Sequence, residues 1–123
     1  MNQKGFSLIE LLVVIAIIGV LSATGTIAYK GYVDAASKKK VKINLNSIKL
    51  EQENYKNLYK VYYYNTSQCS VLTDFSNEIN SELLNTNLVD DDRYSYCIEG
   101  SDNQFKIYSI KKSNGESYWL DEN

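Results

Sequence analysis

Chemistry needs side chains that can hold charge, attack or coordinate, and few positions in this chain offer them in a pattern. Histidine is absent, which removes the commonest general base and metal ligand. There is no glycine-rich phosphate loop and no serine in a nucleophile elbow. Three features remain. Glu10 is the only ionisable side chain between Phe6 and Leu21, so a carboxylate stands inside an apolar run, where a charge costs roughly 2.5–3.5 kcal/mol at a helix centre and less near an interface. Cys69 and Cys97 are the chain's cysteines and can form a bridge or stay as thiols. Asp90, Asp91 and Asp92, with Asp102 beyond them, offer acidic oxygens, but calcium takes about six to eight ligands and consecutive side chains point apart. A solvated acidic turn accounts for the same residues. This inventory predicts no enzyme, no metal and no cofactor.

The element that holds Glu10 is the densest apolar stretch of the chain. A membrane-crossing helix needs about 20 mostly apolar residues at about 1.5 Å each. Phe6 to Ala28 supplies them if Ser22, Thr24 and Thr26 return their hydroxyls to the helix. In a secretory signal the cleavage site follows the apolar core. Here the polar leader Met1–Gly5 precedes it, and the small residue suited to a peptidase, Gly5, lies before the run. Cleavage there leaves the anchor in place. Lys4 favours a cytoplasmic N-terminus by the positive-inside rule, which puts both cysteines on the far side, where a disulfide persists. A bridge across 28 residues would contribute roughly 3–4 kcal/mol; two free thiols are the alternative.

Residues KGFSLIELLVVIAIIGVLS, from Lys4 to Ser22, resemble the class III leader and N-terminal helix of type IV pilins and type II secretion pseudopilins. The resemblance is close over roughly the first 30 residues and architectural beyond them. It implies that a prepilin peptidase cuts between Gly5 and Phe6, that the new Phe6 amine is methylated, and that Glu10 pairs in a filament with the Phe6 amine of a neighbouring subunit. Two departures stand out. The helix proline common in the family, near Ile27 here, is missing, because the chain has no proline; Gly25 is the nearest weak point. The family's usual C-terminal cysteine-bounded loop is also missing.

The remaining elements follow from periodicity. Val41, Leu45, Ile48, Gln52, Tyr55, Tyr59 and Tyr62 recur at helical spacing, with Ala36, Ile43, Leu50 and Leu58 widening the apolar arc, so one helix is predicted from about Phe6 to about Lys60. Lys38, Lys42, Lys49, Lys56 and Lys60 share another arc at about 100° per residue, a stripe readable as a solvated face, a subunit contact or a DNA contact. Residues 30–60 carry a net charge of +5 and residues 61–123 a net of −7, so the halves are complementary. Asp74 is the expected N-cap of a short second helix through Phe75, Ile79 and Leu83. Strands are predicted at 94–98, 105–110 and 117–120, joined by Gly100–Asn103 and by Ser113-Asn114-Gly115.

These readings predict an α+β, pilin-like fold in which a long N-terminal helix packs on a small three-stranded antiparallel sheet. The expected organisation is a leader at 1–5, a transmembrane and assembly helix at 6–29, and a periplasmic or extracellular head at 30–123. The expected function is a structural subunit of a type IV pilus, held in the inner membrane before it polymerises with other pilins. The alternatives are a pseudopilin of a type II secretion system and a minor pilin that binds DNA for uptake.

Overall fold

The computed structural model describes residues 4–70, 73–87, 89 and 91–121. Of the sequence-predicted features, residues 1–3 of the leader and Asp90 of the acidic triplet lie outside them. The expected α+β arrangement is present: a long helix α1, Leu8–Tyr59, then α2, Ser76–Glu78, running into a π-helical segment, Ile79–Leu84. The strands β1, Tyr94–Ser101, β2, Gln104–Lys111, and β3, Ser117–Asp121, form one antiparallel sheet in the order β1-β2-β3. The chain divides into two compact units, one ending at Lys38 and one beginning at Lys39.

In the first unit the helix is continuous through Gly25. Thr24 donates to the carbonyls of Val20 and Leu21, and Thr26 to those of Ser22 and Ala23, so these hydroxyls are absorbed by the helix itself. No residue from Lys4 to Lys38 is buried.

In the second unit Val41, Leu45 and Ile48 of α1 meet Ile79, Leu83, Val89 and the inward-facing Tyr94, Tyr96, Ile98, Phe105 and Ile107. Strand alternation places every second side chain on this core. Two polar residues of α1 are buried with it. The Asn44 amide donates to the Tyr96 hydroxyl at 3.0 Å. The Gln52 side chain donates to the Tyr63 carbonyl at 2.6 Å and accepts from the Tyr63 amide at 2.9 Å, holding the chain after the helix as a strand neighbour would. The helix ends because Lys60 takes a left-handed backbone, φ 65°.

The predicted widening of the apolar arc does not occur. Ile43, Leu50 and Leu58 are 55%, 64% and 76% exposed, and Ala36 is exposed as well. At about 100° per residue Ala36, Ile43 and Leu50 lie roughly 135–175° round the helix from the core line and Leu58 roughly 95°, too far to reach it. Tyr59 is likewise exposed, while Tyr62 is buried beyond the helix end, its ring edge-on to Phe105 at 4.6 Å.

The second helix starts later than predicted and is mostly π-helical. Phe75 occupies the cap position. Asp74, one residue earlier, accepts from the Ser76 amide and hydroxyl and from the Tyr96 amide, and Lys112 lies 3.1 Å from its other oxygen. Burial opposes the charged form, but these hydrogen bonds outweigh it and hold the Asp74 carboxyl below the usual carboxylate range. The wider π turn lets Ile79, Asn80, Leu83 and Leu84 all face inward. The Asn80 side chain accepts from the Val89 amide at 3.0 Å, and Asn85, φ 54°, closes the segment.

Both hairpins form. The first turn is tighter than predicted, because β1 runs on to Ser101 and only Asp102 and Asn103 turn. A Cβ on Gly100 would lie 2.3 Å from the Gln104 carbonyl oxygen, so that close crossing needs glycine. In the second hairpin Gly115 supplies the left-handed position, φ 71°.

Candidate functional site

Lys4 to Ser7 are not helical, and Phe6 is 86% exposed. The Gly5–Phe6 bond therefore lies in exposed, non-helical chain immediately before α1. The helix begins with a reciprocal cap: the Ser7 hydroxyl accepts from the Glu10 amide at 3.3 Å, and the Glu10 carboxylate accepts from the Ser7 amide at 2.8 Å. Each group satisfies a donor that a helix start leaves unpaired. The sequence reading gave Glu10 to a neighbouring subunit and did not see Ser7. The signal was available, since Ser7-Leu8-Ile9-Glu10 has the serine-to-glutamate spacing of a capping box.

Beyond Glu10 the helix presents Leu11, Leu12, Val13, Val14, Ile15, Ile17 and Ile18, each between 45% and 61% exposed. Among the described residues, α1 is the one helix long and apolar enough to cross a membrane.

The lysines of the stripe do not lie opposite the core. Lys42, Lys49 and Lys56 flank it by about 80° on one side and Leu58 by about 95° on the other, and the arc facing away carries Ile43 and Leu50. Lys56 places its ammonium 4.0 Å from the Tyr62 ring centre. Lys60 is off the helix and donates to the Asn57 carbonyl at 3.0 Å. Lys38 ends the first unit and is exposed.

Among the described residues the acids do not converge either. The Asp91 side chain is only 8% exposed; it meets Lys40 at 3.5 Å and accepts from the Arg93 amide at 2.8 Å. Asp92 is exposed, and the Asp102 carbonyl accepts from the Tyr62 amide. The charge complement of the basic half is thus met partly within the chain.

Cys69 and Cys97 are bridged, with Cα atoms 6.0 Å apart. Residues 65–69 lie along the outer edge of β1: the Asn65 amide donates to the Ile98 carbonyl, the Gly100 amide to the Thr66 carbonyl, and the Cys69 amide to the Glu99 carboxylate at 3.0 Å. The bridge pins this segment to the first strand, so of the two expected states of the cysteines the structure has the bonded one.

Comparison with curated proteins and with solved structures finds no match. Residues 1–26 match the family model of the prokaryotic N-terminal methylation motif, which covers Gly5, Phe6, Ser7, Glu10 and the apolar turns that follow. The chain thus carries a class III leader of the kind typical of type IV pilins and pseudopilins, set before a long apolar helix and a three-stranded antiparallel sheet in a pilin-like arrangement.

Proposed function

We propose that this chain is a structural subunit, not an enzyme, of a type IV pilus. It waits in the inner membrane with its N-terminus cytoplasmic and its head on the periplasmic side, and it polymerises through the N-terminal helix once a prepilin peptidase has cut Gly5–Phe6 and the Phe6 amine has been methylated. The observation that carries this reading is the apolar start of α1, from Leu8 to Leu21, of which no residue is buried and whose one carboxylate, Glu10, stands four positions after Phe6. At roughly 25 cal/mol per Å² so much apolar surface is not left to water; lipid covers it first and copies of the same helix afterwards.

The capping geometry refines the role of Glu10. In the single chain its carboxylate is held by the Ser7 amide, one residue from the processed terminus. Cleavage creates a cation at Phe6, and a neighbour's amine offers a charged partner in place of a backbone amide, a stronger hydrogen bond. Exposed Ile43, Leu50 and Leu58 give the head unit apolar surface for further subunit contact. The disulfide, together with Asp91 committed to Lys40, speaks for a pilus over a calcium-dependent pseudopilus. DNA capture is less favoured, since Lys56 and Lys60 are engaged within the chain.

Co-expression of wild type with Glu10→Ala tests the reading. The variant is expected to remain in the membrane and to be depleted from sheared filaments, in which intact mass gives a chain beginning at methylated Phe6. Equal incorporation, or filaments built of chains retaining Met1 to Gly5, would refute it.

A further inference from the structure

The face of the sheet turned away from the core carries a trough that the assembly reading does not use. Its floor is β2, whose Lys106, Tyr108 and Ile110 alternate with core residues. Strand register sets Cys97 and Trp119 on either side of Tyr108, and Glu99 and Asp121 on either side of Lys106. One wall is the segment Ser67–Cys69, tied down by the disulfide. Glu99 locks this wall to the floor, one oxygen accepting from the Cys69 amide at 3.0 Å and the other from the Tyr108 hydroxyl at 3.1 Å. The Thr66 hydroxyl, bonded to both the amide and the carbonyl of Gln68, stiffens it further. Trp119 on β3 borders the other side, 55% exposed, with the Lys106 ammonium 4.0 Å from its ring centre. Two open grooves of about 580 and 440 Å³ share Ser67 and Glu99 and so adjoin along this face.

We propose that this trough binds a neutral oligosaccharide. Ser67, Gln68, Gln104 and Ser117 line it, and their hydroxyls and amides both donate and accept, as sugar hydroxyls do. Tyr108 and Trp119 supply flat apolar surfaces on which the C–H face of a sugar ring rests, and Lys106 holds the indole in one orientation. The three charged side chains, Glu99, Lys106 and Asp121, stand side by side in register, leaving a net charge of −1 and no field to gather a polyanion. An extended peptide would pair with the backbone edge of β3 instead of lying across the sheet face. The trough is open along its length, which suits a chain of several sugars better than a small molecule that must be enclosed. The disulfide then has a second role, to keep one wall standing.

Trp119 is the chain's only tryptophan, so its emission reports on the trough directly. The full chain, reconstituted in phosphatidylcholine–phosphatidylglycerol vesicles, is titrated to millimolar concentration with maltotetraose, cellotetraose and chitotetraose. At least one is expected to give a saturable emission shift. By calorimetry Trp119→Ala should weaken that binding about tenfold, whereas Trp119→Phe should largely retain it and Lys49→Glu should leave it unchanged. No saturable response to any of the three sugars overturns the proposal, as does equal affinity in Trp119→Ala. A response to heparin or to an extended pentapeptide without one to the sugars overturns it also, by assigning the face to a polyanion or to a peptide strand.

Discussion

The two units of this chain solve opposite problems with the same helix type. From Leu8 to Lys38 the helix is rich in apolar residues and buries none of them; from Lys39 onward it is mixed in composition and buries Val41, Asn44, Leu45, Ile48 and Gln52. In the first unit the hydroxyls of Thr24 and Thr26 return to their own helix and Glu10 caps its own first turn. In the second, Asn44 and Gln52 reach other segments. A segment without a packing partner in its own chain keeps its polar groups satisfied locally, which also suits the proposed exchange of lipid for protein neighbours. A segment with one permanent partner spends them on specificity. Substitutions should therefore alter the stability of the head unit and the company kept by the N-terminal unit.

Among the cross-link and the polar contacts of the head, the largest stability effect is expected at the disulfide. Replacing Cys69 and Cys97 by serine removes a 28-residue cross-link, worth roughly 3–4 kcal/mol, from a unit with a small core. Chemical denaturation followed through the head should show the loss, while membrane insertion stays at the wild-type level. A head that unfolds at the same urea midpoint would mean that backbone bonds alone hold residues 65–69 on β1.

Gln52 should come next. Its amide makes both bonds to Tyr63, and truncation removes the partners of a backbone donor and acceptor of a half-buried residue, about 1 kcal/mol for each. Gln52→Ala should lower the midpoint clearly, and Asn46→Ala, exposed on the same helix, hardly at all. Similar effects from the two would break the idea that polar groups on the core line carry the specificity.

A smaller effect is expected on acidification. The Asp74 carboxyl is held below its ordinary value chiefly by Ser76, Lys112 and the Tyr96 amide, against the cost of burial. The unfolded chain therefore binds its proton first, and stability rises with pH through this window. The contribution is complete above the unfolded value of about 4 and is lost as pH falls through the lowered folded value. Asp74→Asn should flatten that part of the stability profile. A profile unchanged by the substitution would show that Asp74 does not link α2 to β1 energetically.

Much of this architecture was legible in the residue pattern. The long helix, the three strands and the Asn-Gly turn followed from periodicity and turn chemistry, and the membrane-type segment from Phe6 onward from length alone. Ile43, Leu50 and Leu58 were misplaced because side-chain type was weighed above angular position. Asn44 was overlooked because a buried amide is recognised only by its partner, here Tyr96, 52 residues away. The π segment depends on Asn80 reaching Val89, a tertiary contact that local propensity does not carry. At the N-terminus the reverse held: Ser7 and Glu10 are three residues apart, and their bond was there to be read.

The smallest effect on the head should come from the residue that most resembles a core residue and is not one. Leu50 lies two positions beyond Ile48 on the same helix, yet Ile48 is fully buried and Leu50 is 64% exposed. Ile48→Ala should cost about 2–5 kcal/mol by opening a cavity, whereas Leu50→Gln should stay within about 0.5 kcal/mol, as for ordinary surface positions. If the exposed arc of Ile43, Leu50 and Leu58 packs on neighbouring subunits, the same Leu50→Gln change should release filaments at lower shear, because a repeated contact multiplies a small loss at every subunit. Unchanged filaments would return Leu50 to the ordinary apolar surface that soluble proteins tolerate. A large fall in head stability would instead place it against the core.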